Sequence, residues 1–300
     1  MTTDHNPEFV PGAPEKRRAQ DEKGSDKKKM VLLNRAQSLI VWSLENRRNY
    51  TPSLRQPHDV TFTEKGELLV TDGLWPHSSI KLFNPSSVRP KCFFSGKILP
   101  FGIEPLDANT VLASDHHSRS IFKCDLEMSH LKQWSDYNFS WPLGVSKCAD
   151  RIYVADSEQN AIIVLDDGGN FVSSFSTKSM QRPEYLAVSN DVIFVTDSMT
   201  KCIQTFDTGT GTYLGSIGKS QFKVPKGIAF RNKKQLVVAD WLGDKIYLLS
   251  LTGNKLLESM ICLEDEISYP RGLSVRNDII GVSQQKLKAP PALKLIEIRI

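Results

Sequence analysis

What this chain lacks narrows it quickly. Its 300 residues contain only five cysteines, Cys92, Cys124, Cys148, Cys202 and Cys262, an odd number scattered without a CxxC pair. Neither a disulfide framework nor a cysteine zinc site fits that spacing, so reduced, mostly buried thiols in a reducing compartment are expected. No apolar stretch approaches the length needed to cross a membrane. The first thirty residues carry Lys16-Arg17-Arg18 and Lys27-Lys28-Lys29 among acids, with no apolar centre, which fits neither a signal peptide nor a transit helix. Residues 1–30 are expected to be a disordered charged arm, and residues 31–300 a single folded domain in the cytoplasm. There is no phosphate-binding glycine loop and no serine nucleophile elbow. A net charge of +4 is too small in itself to specify nucleic acid.

What is present is a repeat. Pro57, Pro100, Pro142, Pro183, Pro225 and Pro270 lie 43, 42, 41, 42 and 45 residues apart, and each opens a short apolar run, in most copies as Pro-x-Gly-Ile/Leu/Val. About fifteen residues later comes a β-branched run ending in aspartate: Asp72, Asp115, Asp156, Asp197 and Asp240. A third run opens near Ile80, Ile121, Ile162, Ile203 and Ile246, and Gly-rich turns lead to a fourth. Short apolar runs bounded by Gly, Asn and Asp are strands and hairpins. A period in the forties with four strands is a propeller blade. The sixth copy ends at Ile300 without a fourth strand, and residues 38–44 form a strand without a blade. The expected fold is therefore an all-β, six-bladed propeller of four-stranded antiparallel blades. The N-terminal strand closes the last blade and removes the open edges.

The pattern Pro-x-Gly-Ile…Val-x-Asp-Ser-x-x-Asn-x-Ile resembles the NHL repeat over everything after residue 40, best at Tyr153–Ile162 and Val237–Ile246. In that family the propeller commonly follows the RING, B-box and coiled-coil segments of TRIM-type ubiquitin ligases. Several of its members bind single-stranded RNA or hairpins on a positive face. This chain resembles the propeller alone. It departs from the pattern at Asp59 and Tyr185, where Gly is missing, and at Ser283, read as the slot that holds Asp in other copies.

The aspartate ladder invites a catalytic reading. A group placed identically in every blade is better explained by turn hydrogen bonds. Amidating-lyase propellers would show several Pro-His slots, and only His58 fits one; no lactonase-type Glu, Asn and Asp set can be identified either. The expectation is a non-catalytic domain with no cofactor and no metal.

Charge partition carries more. The face built from the loops before each proline and after each Val-x-Asp holds Arg55, Arg119, Arg182, Lys201, Lys223, Lys226, Lys245, Arg271, Lys286 and Lys288 against Glu158, Glu184 and Asp244, a balance of +7 with the ladder set aside. Trp75, Trp141, Trp241, Tyr185, Tyr269 and Phe101 share that face. Cations that neutralise phosphates, interleaved with rings that stack on bases, suit single-stranded nucleic acid. The reading is a monomeric propeller that binds single-stranded RNA through Arg55, His58, Trp75, Arg119, Trp141, Tyr185, Lys201, Lys226, Trp241, Lys245, Tyr269 and Arg271. Lys226, Lys245 and Arg271 are expected on phosphates. A protein partner is the alternative, since interfaces favour the same residue types.

Overall fold

The computed structural model describes residues 39–43, 54–84, 90–252, 255–263, 267–285 and 292–298. The charged arm, with Lys286 and Lys288, lies outside them. Residues Val41–Glu297 form one compact unit.

Six four-stranded sheets follow the repeat. Their inner strands are Pro57–Phe62, Pro100–Pro105, Pro142–Cys148, Pro183–Val188, Pro225–Asn232 and Pro270–Arg276. Five second strands end on the ladder aspartates: Leu68–Asp72, Thr110–Asp115, Arg151–Asp156, Val192–Asp197 and Gln235–Asp240. The sixth is Ile279–Gln284. Its sheet takes Leu39–Ser43 as its fourth strand, beside Ala292–Ile298. The six-bladed propeller with an N-terminal closing strand is thus the fold.

Alternation along the second strands explains why they are apolar throughout. Val111 and Ala113 pack toward blade one with Leu69 and Ile80, whereas Leu112 packs toward blade three with Val145 and Val154. Successive side chains leave opposite faces of a strand, and here both faces are covered by a neighbouring blade. Of the described cysteines, Cys124 and Cys202 are buried, Cys148 is half-buried and Cys92 is exposed.

The ladder aspartates clamp loops. Asp72 accepts the Gln56 N–H at 2.6 Å, Asp156 the Ser140 and Trp141 N–H groups at 2.7 and 2.9 Å, and Asp240 the Val224 and Lys223 N–H groups at 2.7 and 2.9 Å. Each carboxylate therefore holds the chain just before its own proline. The sixth blade corrects the sequence reading by one residue. Proline and ladder residue face each other in every pair of strands (Pro57 with Asp72, Pro225 with Asp240), and Pro270 faces Gln284, not Ser283. Ser283 instead matches Thr71 and Ser114, whose hydroxyls donate to the next blade's carbonyls, Phe101 O and Leu143 O; Ser283 donates to His58 O at 3.2 Å.

The repeat glycines have a steric cause. A Cβ built on Gly102, Gly144, Gly227 or Gly272 would lie 2.3–2.6 Å from the backbone of the neighbouring inner strand. Inner strands approach too closely for a side chain there. Asp59 and Tyr185, the two exceptions, send their side chains into the channel.

Candidate functional site

Register slips after every repeat proline. Pro142 pairs with Asp156 and Val145 with Val154, so two inner-strand residues oppose one across the ladder. Such a bulge re-aims a side chain. Repeated six times, it turns the residue after each proline toward the mouth of the central channel. His58, Phe101, Leu143, Glu184, Lys226 and Arg271 form the resulting ring.

Its members touch in sequence order and across the channel. The His58 and Phe101 rings stack at 4.8 Å, and the Arg271 guanidinium lies 4.9 Å from the Phe101 ring centre. Lys226 and Glu184 form a buried ion pair, and Lys226 stands 5.5 Å over the Trp241 ring. Tyr185, beneath the ring, donates its hydroxyl to His58 O at 2.9 Å, joining blade four to blade one. His116 meets Trp141 at 4.7 Å, and Trp241 meets Tyr269 at 5.9 Å.

Burial sets the electrostatics. Desolvation, with the charges of Arg271, His116 and Lys226 adding to it, holds His58 well below the usual histidine range. Burial pulls Lys226 down to about 8 against the opposing pull of Glu184. Below the ring lies an axial cavity of about 160 Å³, lined by all six inner strands and including Asp59, Glu104, Ser146 and Ser274. Burial raises Asp59 to about 7 and Glu104 to about 8, although backbone N–H groups of Val60, Ile103 and Lys147 pull the other way. Perturbed ionisable groups in a cavity mark functional sites more often than chance. Among the described residues, no three His, Cys, Asp or Glu side chains are grouped to hold a metal ion.

The expected site residues divide in two. His58, Tyr185, Lys226 and Arg271 meet at the channel mouth, with Trp141, Trp241 and Tyr269 around them. Arg55, Arg119 and Lys201 are exposed on the rim, and Trp75 is 62% exposed there. Three expectations are corrected. Lys226 is only 8% exposed and is held by Glu184, so it is no surface cation for a phosphodiester. Tyr185 is buried with its hydroxyl committed, so it offers no stacking platform. Lys245 lies within a strand opposite Asp240 rather than in the loop.

Sequence reasoning missed Glu184 and Leu143 as ring members, and three exposed rim cations, Lys97, Lys178 and Lys219. Opposite charges in the same slot of consecutive repeats, Glu184 and Lys226, were the available signal for the first.

No family model and no curated protein matches the sequence. Solved structures match the fold over most of its length. Virginiamycin B lyase from Staphylococcus aureus is 14% identical, covering 88% of this chain and 100% of its own, with a TM-score of 0.60. The PQQ-bound aldose sugar dehydrogenase from Streptomyces coelicolor is 13% identical, covering 87% and 99%, with a TM-score of 0.66. A luciferin-regenerating enzyme is 13% identical, covering 87% and 97%, with a TM-score of 0.67. All three are enzymes, which overturns the expectation of a non-catalytic domain: a six-bladed propeller of this shape supports catalysis. At such identities the likeness establishes the fold, a six-bladed β-propeller.

Proposed function

We propose that this chain is an NHL-type recognition propeller whose Pro-x-Gly face binds single-stranded RNA along its exposed rim. The carrying observation is the rim's composition. Arg55, Lys97, Arg119, Lys178, Arg182, Lys201, Lys219 and Lys223 are surface side chains there among the described residues, against Asp136, Glu158 and Asp244. Trp75 and Trp141 stand exposed among them, at 62% and 40%. Cations follow a phosphate backbone and rings accept unstacked bases.

The same rim exposes Leu74, Met199 and Leu242, which favours a protein partner as the second reading. Binding of a random-sequence single-stranded RNA pool across a salt series separates the two. The RNA reading requires an affinity that falls steeply with salt. Reversing Arg119, Arg182 and Lys201 together should flatten that slope, by roughly 0.7 logarithmic units for each phosphate no longer neutralised. Reversing Lys233 and Lys234 on the opposite face should leave it unchanged. Absence of RNA affinity at low salt rejects the reading and leaves the rim to a protein.

A further inference from the structure

Arg271 differs from the other cation of the ring. Lys226 has Glu184, whereas Arg271 has no ion pair among the described residues. Its guanidinium rests on the Phe101 ring and beside the Tyr185 hydroxyl, and its buried Nε has no hydrogen-bond partner among the described residues. Three more buried nitrogens around the same mouth also lack partners among the described residues: His58 Nδ1, His116 Nδ1 and Trp241 Nε1. The two imidazoles flank the Phe101 ring that Arg271 covers, at 4.8 and 6.1 Å. Trp241 lies under Lys226, whose charge is coupled to that of Arg271.

These groups share a chemistry. The arginine and indole N–H groups can only donate, and a neutral imidazole can donate from Nδ1. A buried donor left unmet is costly, and a charge taken out of water without a counter-ion costs more. Donors of this kind around one opening suit an oxyanion with several acceptor oxygens, which a guanidinium fork recognises well. His58, Phe101 and Tyr185 form a floor below the surface. A buried floor suits a chain end, which carries one substituent, better than a phosphodiester substituted on both sides.

We propose that the channel mouth binds a terminal phosphate, a phosphate monoester seated on Arg271, with His58, His116 and Trp241 as neutral donors. Trp141, exposed and in contact with His116, receives the adjoining base. The identification of the carrier as RNA rests on the function proposed above, but the anion chemistry does not. A free phosphate ion or a nucleoside monophosphate presents the same group.

The test uses the full chain and one short RNA sequence in three forms, with hydroxyls at both ends, with a 5′-phosphate and with a 3′-phosphate. Inorganic phosphate is titrated separately against tryptophan fluorescence. At least one phosphorylated RNA should bind roughly tenfold or more tightly than the hydroxyl form. Arg271→Gln should abolish that gain, and Arg271→Lys should keep part of it. Thermal melting checks that each variant folds; if Arg271→Gln does not, His116→Ala at the edge of the mouth takes its place. RNA binding that is equal for all three forms, with no response to inorganic phosphate, overturns the site and leaves the RNA reading standing. A gain that survives Arg271→Gln also overturns it. An Arg271-dependent response to inorganic phosphate without RNA affinity supports the anion site and rejects RNA as its carrier.

Discussion

Lys223 and Lys226 stand three residues apart on one face, and the fold places them in different solvents. Lys223 lies before Pro225, with its N–H held by Asp240 and its side chain in water. Lys226 lies after the proline, in the bulge, buried against Glu184. Blade four repeats the contrast with Arg182 and Glu184, whose side chains are 52% and 2% exposed although they approach to 3.5 Å. The cause is local. In five blades a ladder carboxylate pins the backbone before the proline at the rim, and the bulge turns the next side chain inward. Charge before the proline belongs to the surface and charge after it to the interior.

The largest test of that rule removes one charge on each side. Glu184→Ala strands the Lys226 ammonium in the interior and should cost about 3–5 kcal/mol in urea unfolding near pH 6. Lys223→Ala should cost less than about 0.5 kcal/mol. The Glu184→Ala deficit should shrink as pH rises toward 9, because the lysine, held at about 8 even when paired, can shed its proton in the folded state. Equal costs for the two variants would erase the distinction between ring and rim.

A pH series sharpens it. Asp59 and Glu104 have folded values near 7 and 8, above their ordinary 3.8 and 4.5, so between pH 4 and pH 8 the folded state holds protons that the unfolded state has lost. Stability falls as pH rises through that window. The double variant Asp59→Asn, Glu104→Gln mimics the protonated forms. Its advantage over the native chain should grow from pH 5 to pH 8, by several kcal/mol at about 1.4 kcal/mol per unit, and then level off. Parallel curves for the channel pair would mean that its carboxyls are solvated.

The period was legible in the sequence because a steric fact recurs in four blades and a hydrogen-bonding fact in five. Glycine is needed wherever inner strands nearly touch, and aspartate wherever a loop is pinned. Ring closure was legible because the last repeat lacked a strand and residues 38–44 lacked a blade. Depth was not legible. Position in the repeat gives the face of a residue, but Lys226 and Arg271 are drawn in by a bulge that appears only in the pairing register. Counting along the strand puts Ser283 in the ladder slot, and the register with Pro270 moves that slot to Gln284. Lys97, Lys178 and Lys219 were missed because the loops after the fourth strands vary in length and keep no fixed offset.

Gln284 offers a smaller test. It occupies the clamp position of the sixth blade, fully buried, with neither amide atom bonded among the described residues. Replacing the unmatched amide by a hydrocarbon of similar size removes its desolvation penalty, so Gln284→Leu should stabilise by about 1 kcal/mol. Asp240→Leu, at the matching slot of blade five, should instead destabilise by at least about 2 kcal/mol, because it frees two loop N–H groups. A loss of stability in Gln284→Leu would show that its amide is used.

The smallest expected effect bears most directly on function. In blades two to five the residue before the third strand adopts a left-handed backbone: Arg119 at φ 57°, Asn160 at 52°, Lys201 at 56° and Asp244 at 54°. Asn and Asp tolerate that conformation better than long side chains do. Blades three and five follow the local preference, while blades two and four place an exposed cation there against it. Broken local rules without a structural gain are where functional demands show. Arg119→Asn and Lys201→Asn should each raise stability by about 0.3–0.5 kcal/mol and together weaken RNA binding at low salt. If stability rises and affinity is unchanged, the cations at these turns serve no ligand. If stability falls, their side chains make contacts that justify the strain, and the rim is structural at these two positions.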